Sequence, residues 1–286
     1  MLARLPLITT MSRNLLIKVL LFYTTAVPDH RGKWKLIKWC IDNCGLTLEG
    51  SFIEKRSGST WHLTPSDYAH QDLFWYGVKD KWEVHHAYRY VSDDAVFIDI
   101  GANFGYYSVQ MAKRMRQKGR VYAFEPNPTT CALLKYNLSL NELKNVEPIE
   151  CALGDQEGSA SLSCRSDNSG AAAVIQGFGI KVTTLDDFAA TRSLDRLDFI
   201  KIDVEGFEEK MLNGAARTLQ RFHPTILIEL NPPTLHKNGS SPKRVVDLLR
   251  TLGYDIFEIH RKHLTPLSAL PSGVDYVNVI ASFPRR

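Results

Sequence analysis

From Ala95 onward the chain alternates short apolar runs with helical patterns, and this rhythm restricts the fold more than any other feature. The apolar runs are "AVFIDI" (95–100), "RVYAF" (120–124), "VEPIEC" (146–151), "LDFIKI" (197–202), "TILIEL" (225–230), "YDIFEI" (254–259) and "DYVNVIAS" (275–282). Helical spacing fills about 105–117, 128–141, 207–221 and 242–252. Strand then helix, repeated, is the pattern of an α/β domain built on a parallel sheet. The last two runs leave no room for a crossover helix, so they are expected to pair antiparallel. The prediction is a seven-stranded, mostly parallel sheet with an antiparallel last strand over residues 91–286.

Residues 1–90 follow another pattern and are expected to form a helical and hairpin extension. "KWKLIKWCIDNC" (33–44) puts Trp34, Ile37, Cys40, Ile41 and Cys44 on one helical face, with lysines opposite. "SFIEKRSGSTWHLT" (51–64) reads as a hairpin turning at "RSGS", and "PSDYAHQDLFWYG" as a helix that stops at Gly77. Trp61, Phe74 and Trp75 are expected to pack in a core. The segment "NLLIKVLLFYTTAV" (14–27) follows Arg4 and Arg13 as an export signal would, yet Lys18 interrupts it. It falls short of the roughly 20 apolar residues a spanning helix needs, so a helix packed on the domain is expected, without stable membrane insertion.

Lys and Arg number 35 against 31 Asp and Glu, with no long basic run, so no nucleic-acid partner is expected. The five cysteines, Cys40, Cys44, Cys131, Cys151 and Cys164, are scattered without zinc-type pairing. They suit reduced thiols and a cytoplasmic location. Between Gly154 and Asp198 runs a long insertion with short β-like pieces at 159–164, 172–176 and 180–184, expected to be functional or to face a substrate.

The stretch "VFIDIGANFGYYS" (96–108) takes a strand through a glycine turn into a helix, a general cradle for a nucleotide. A dinucleotide fingerprint needs a small residue where this chain has Tyr106. Aligned instead as D-x-G-x-G-x-G, the stretch supplies Asp99, Gly101, Asn103 and Gly105, with Asn, a residue tolerant of positive φ, for the middle glycine. No Lys-Ser/Thr pair follows, so a triphosphate loop is excluded. Glu125, directly after the second strand, stands where a carboxylate accepts hydrogen bonds from ribose hydroxyls. The backbone at Ala152 and Leu153, after the third strand, is placed beside an adenine.

Six ordered motifs, "FIDIGANFGYYS", "FEPNP", "ALGD", "VTTLDDF", "FIKIDVEGFEEKMLNGA" and "PTILIEL", resemble the FkbM-type family of S-adenosylmethionine-dependent methyltransferases over about 77–283. "YGVKDKWE", with Gly77 and Glu83, resembles the family's stretch before the first strand. The resemblance implies a Rossmann-like class I methyltransferase fold. It also implies S-adenosyl-L-methionine held by Glu83, Asp99, Gly101, Ala102, Asn103, Gly105, Glu125, Asn127, Ala152 and Leu153.

The implied reaction is methyl transfer to a hydroxyl of a sugar or secondary metabolite. An alcohol must lose its proton, so a base or a metal is expected near the acceptor. Asp203 and Glu205, off the end of the fourth strand, and His236, in a loop after the fifth, are the catalytic candidates. Asp203 and Glu205 also suit helix capping. Glu229 and Asn231 end the fifth strand, and three acids there could recruit Mg²⁺, although the family pattern carries no defined metal site. His85, His86, His223 and His260 form no ligand spacing. N-methylation of an amine or a protein lysine, and a non-catalytic nucleotide-binding module, are the alternatives.

Overall fold

A computed structural model describes residues 10–27, 30, 32–44, 50–165, 168–270 and 273–284. Arg4 and the side chains of Trp34, Cys44 and Cys164 lie outside the described residues. The chain divides into two compact units, 1–79 with 166–169, and 80–165 with 170–286.

In the first unit, α1 (Thr10–Ala26) packs against α2 (Lys33–Cys44) and α3 (Tyr68–Tyr76). Lys33 buries its ammonium on the end of α1, donating to the carbonyls of Thr24 and Val27 at 2.6 Å each. Strands β1 (Phe52–Arg56) and β2 (Ser59–Leu63) form the expected hairpin, turning through Ser57 and Gly58, both at positive φ. Asp67 caps the start of α3, and Gly77 ends it with φ 72°, a left-handed conformation glycine adopts without penalty. Trp61, Phe74 and Trp75 are buried, as expected of core residues.

The second unit opens with α4 (Lys81–Tyr90), a helix inside the stretch assigned from sequence to the extension. Then follow β3 (Val96–Ile100), α5 (Tyr106–Arg114), β4 (Arg120–Phe124), α6 (Pro128–Leu140), β5 (Val146–Ile149) and β6 (Ala152–Leu153). The insertion forms β7 (Gly158–Arg165), β8 (Asn168–Gln176) and β9 (Ile180–Thr183). It is followed by α7 (Leu185–Thr191), β10 (Phe199–Ile202), α8 (Glu208–Asn213), α9 (Ala216–Phe222), β11 (Thr225–Leu230) and α10 (Pro232–Lys237). The chain closes with α11 (Pro242–Thr251), β12 (Asp255–His260), β13 (His263–Pro266) and β14 (Val277–Ser282).

The main sheet has the order β13-β12-β14-β11-β10-β3-β4-β5. Neighbours from β5 to β11 run parallel, and β14 inserts antiparallel between β11 and β12. This is the Rossmann-like α/β arrangement expected, with one correction: the sheet has eight strands. At Arg261, φ 52°, the chain reverses tightly after β12, and His263–Pro266 adds an edge strand. A second correction concerns 207–221, which is two helices. A Cβ on Gly214 would lie 1.9 Å from the Gly154 carbonyl oxygen, so helix and neighbouring loop meet backbone to backbone at the break. The insertion, with β6, builds a separate four-stranded sheet of order β6-β9-β7-β8.

Alternation along the strands sends Ile98, Ile100, Ile200, Ile202, Ile226 and Ile228 into one continuous apolar core with residues of α7, α8, α9 and α11. The opposite face carries Phe97 and Phe199, stacked at 5.6 Å, and then Asp99 and Lys201, paired in register. Two buried charges at the carboxyl ends of adjacent central strands mark the functional end of the sheet.

Candidate active site

The glycine turn after β3 is compressed against the end of β10. A Cβ on Gly101 (φ 75°) would lie 1.8 Å from the Asp203 carbonyl oxygen, so no other residue fits. The N–H groups of Gly101 and Ala102 both donate to the Phe124 carbonyl, at 3.0 and 2.9 Å, tying the turn to β4. Asn103 has φ 50° and Gly105 φ 95°, so the asparagine occupies the left-handed conformation that qualified it as a glycine substitute. Asn137, buried on α6, donates to the Phe104 carbonyl at 2.9 Å and braces the same loop.

Glu125 lies beside this turn, buried, with both oxygens engaged by backbone. Asn103 N–H donates to one and Asn127 N–H to the other, each at 2.9 Å. A carboxylate offers about four lone-pair sites, so each oxygen keeps one for a further donor. Burial pushes the Glu125 carboxyl up to about 7 against the opposing pull of those two N–H groups. The Asn127 side chain itself caps α6 through Thr129 and Thr130, so its link to Glu125 is its backbone.

The buried charges of the sheet gather around Lys201. Its ammonium donates to the Gly101 carbonyl and pairs with Asp203, both at 3.2 Å, and lies 5.2 Å over the Tyr107 ring. Burial draws the Lys201 ammonium down, but the Asp203 and Asp99 carboxylates outweigh it and hold its pKa above the usual lysine value. Asp99 accepts from the Ser108 hydroxyl at 2.6 Å, while its Oδ1 is buried without a hydrogen-bond partner. Burial raises the Asp99 carboxyl, opposed by Lys201 and Ser108. Sequence reasoning passed over Lys201, although a lysine inside the apolar strand "FIKI" is itself a signal.

Beyond β10, Glu205 (φ 50°) and Gly206 (φ 98°) make a left-handed turn into α8. Glu208, buried on α8, holds that turn by accepting from Gly206 N–H at 3.1 Å and Val204 N–H at 3.4 Å. Glu205 is pushed up to about 8, first by burial and then by the charges of Asp203 and Glu208. Glu229, on the sheet face that carries Lys201, is held well above the carboxylate range by burial and by Asp203 and Glu205. Glu83 on α4 accepts from Asn278 of β14 at 3.4 Å, and burial raises its carboxyl.

Asp203, Glu205 and Glu229 are thus brought together electrostatically. His236 is not gathered with them: it is exposed in the last turn of α10, and Asn231 spends its side chain capping that helix. Ala152 and Leu153 are buried, their backbone paired with Val182 and Thr183 of β9. His86, buried on α4, bonds the Arg261 carbonyl at 2.7 Å, a structural contact. Among the described residues no group of three or more His, Cys, Asp or Glu is arranged to hold a metal ion.

A family model described as the methyltransferase FkbM domain matches residues 99–256. Methyltransferase sdnD from Sordaria araneosa is 26% identical over 195 residues, 56% of this chain and 73% of that protein. Hexuronic acid methyltransferase AglP from Haloferax volcanii is 27% identical over 160 residues, 55% of this chain and 62% of that one. The crystal structure of methyltransferase FkbM from Methylobacillus flagellatus KT shares 17% identity with a TM-score of 0.45, covering 96% of this chain and 60% of that chain. The matched span begins at Asp99, takes in the glycine turn, Glu125 and the Lys201–Asp203 pair, and occupies more than half of the sequence; this chain belongs to the FkbM methyltransferase domain family.

Proposed function

We propose that this site binds S-adenosyl-L-methionine and methylates a hydroxyl of a sugar or hydroxylated metabolite. The observation that carries the reading is Glu125, a buried carboxylate aimed by two backbone N–H groups with one lone pair left on each oxygen, as a ribose diol requires. The rest of the cradle fits the same group. Gly101 leaves no room for a side chain, and Asp99 keeps a buried acceptor oxygen without a partner. Glu125 would hold the ribose, the Asp99–Gly105 turn and Glu83 the amino-acid end, and the backbone at Ala152 and Leu153 the adenine. When bound, the cofactor supplies an electrophilic methyl group that carries its own leaving group.

The protein's part is then to orient an acceptor and take its proton. Asp203 is the proposed proton acceptor, and Lys201 steadies it through the 3.2 Å ion pair. Glu205, with its pKa at about 8, is protonated near neutrality and donates a hydrogen bond to an acceptor oxygen; the Glu229 carboxyl is raised in the same direction by burial and by the charges of Asp203 and Glu205. An acceptor beside a donor suits a polyhydroxyl compound. Two relatives support that class by name, the hexuronic acid methyltransferase AglP and, at 24% identity, the 2-O-methyltransferase NoeI from Sinorhizobium fredii.

The test is a screen of sugars and hydroxylated metabolites with methyl-labelled cofactor, comparing wild type with Asp203→Asn. Label on an acceptor oxygen, lost in Asp203→Asn while S-adenosylhomocysteine still binds, is the expected outcome. Label on nitrogen, or full turnover in Asp203→Asn, overturns the assignment.

A further inference from the structure

Helices α1 and α2 each bury one face in the first unit and leave another open. On α1 the buried residues are Ile17, Leu20 and Thr24, while Leu15, Val19 and Phe22, at i, i+4 and i+7, point outward. Phe22 is 72% exposed and Leu15 63%. On α2, Ile37 and Cys40 are buried, while Leu36 and Trp39 are outward, the indole 49% exposed. Five large apolar side chains on two packed helices exceed the scatter of single exposed residues normal on a protein surface.

Charge says what the face is suited to meet. The exposed charged side chains described on these helices are Lys18, Lys35 and Lys38, all positive. Lys18 sits on the stripe itself, three residues after Leu15 and four before Phe22. In sequence α1 has no acid, and α2 has Asp42 alone. Against a second copy of the same face, lysine would be brought against lysine. Against an anionic bilayer, lysines meet lipid headgroups while leucine, valine, phenylalanine and the amphipathic indole enter the headgroup boundary. Among the described residues no helix is long and apolar enough to cross a membrane.

We propose that the outward face of α1 and α2 docks this protein on the surface of an anionic lipid bilayer. The attachment does not depend on the methyl-transfer reading and survives if that reading fails.

The test is co-sedimentation of the full chain with vesicles of phosphatidylcholine alone and of phosphatidylcholine with phosphatidylglycerol in equal parts. Binding is expected to phosphatidylglycerol vesicles, weakened by salt. Neutralising Lys18 and Lys35 with Gln lowers the partition coefficient by about fivefold per lysine. Phe22→Ser lowers it by about tenfold with unchanged thermal unfolding, since that ring is outside the core. Quenching of tryptophan fluorescence by brominated lipid is expected in wild type and largely lost in the conservative Trp39→Phe. Equal binding to both vesicle types, or wild-type binding by Phe22→Ser, overturns the proposal. A dimer in sedimentation velocity that Phe22→Ser dissociates also overturns it, assigning the face to a second copy.

Discussion

Glu125 and Gly101 show how different the demands on two neighbouring residues can be. Glu125 is held by hydrogen bonds and keeps spare acceptor capacity, so its loss falls on binding. Glu125→Ala is expected to weaken S-adenosylhomocysteine binding in calorimetry by about 10- to 100-fold, the range for hydrogen bonds to a charged group, while leaving a folded protein. Unchanged affinity would remove Glu125 from the cofactor site. Gly101 is a matter of space: with φ 75° and a backbone oxygen 1.8 Å from any Cβ, Gly101→Ala forces strand β3 away from β10. A loss of roughly 3 kcal/mol or more in denaturant unfolding is expected, combining left-handed strain with overpacking. A stability within 1 kcal/mol of wild type, as an order-of-magnitude bound, would show that the turn relaxes cheaply. At this scale the glycine pattern was legible because positive φ restricts residue type, and Asn103 at φ 50° obeys that restriction. Lys201 was harder to see, because its role depends on Asp99 lying opposite it across two strands distant in sequence.

At the scale of elements, strand β10 and the turn after it deliver a cation, Lys201, and two carboxyl groups, Asp203 and Glu205, to one end of the sheet. Lys201 holds this group together, since it is the buried positive partner of Asp203 and lies in the field of Asp99. Lys201→Met removes the cation from a fully buried Asp99. The expected cost is about 3 kcal/mol at pH 8, within the range for breaking a buried pair, and smaller at pH 5, because burial raises the Asp99 carboxyl and loss of the opposing lysine raises it further, so that falling pH favours its neutral form. Chemical denaturation at both pH values reads this, and an equal loss at both would assign the lysine to packing alone. Most elements were legible from periodicity and punctuation. The hairpin at Ser57–Gly58 and the stop at Gly77 carried local turn chemistry, and the parallel strands carried apolar runs. The edge strand His263–Pro266 has no apolar alternation and exists because the turn at Arg261 lays it on β12. The break between α8 and α9 falls at Gly214, whose missing side chain admits the Gly154 carbonyl of a loop sixty residues away, a contact no local window contains.

For the whole molecule, the concentration of buried acids at one sheet end predicts how stability varies with pH. Glu208 is held at about 7 in the folded protein against 4.5 for the free group, chiefly by burial. Its Oε1 accepts two backbone N–H groups while Oε2 is buried without a partner. A raised folded pKa means that the native state holds a proton the unfolded chain has released. Its contribution is therefore complete below about pH 4.5 and is lost as pH rises through 7. Glu125 acts in the same window, and Glu205 extends the loss to about 8. His70 and His86, both lowered by burial, act in the opposite direction, since they favour folding as pH rises toward the ordinary histidine value of 6.5. The net slope of the wild type mixes these groups, so the informative quantity is a difference. Glu208→Gln keeps an acceptor oxygen for the 204–206 turn but cannot ionise. Relative to wild type it is expected to gain stability between pH 5 and pH 8, by up to about 3 kcal/mol, from 1.36 kcal/mol per unit of pKa difference. It starts at or below wild type at pH 5, where its amide is left without a partner beside the turn. Parallel unfolding curves of the two proteins across that range would mean that Glu208 reaches water and that the sheet end is less sealed than its contacts imply. Convergence or crossing of the curves on raising the pH would place the burial penalty at this carboxyl.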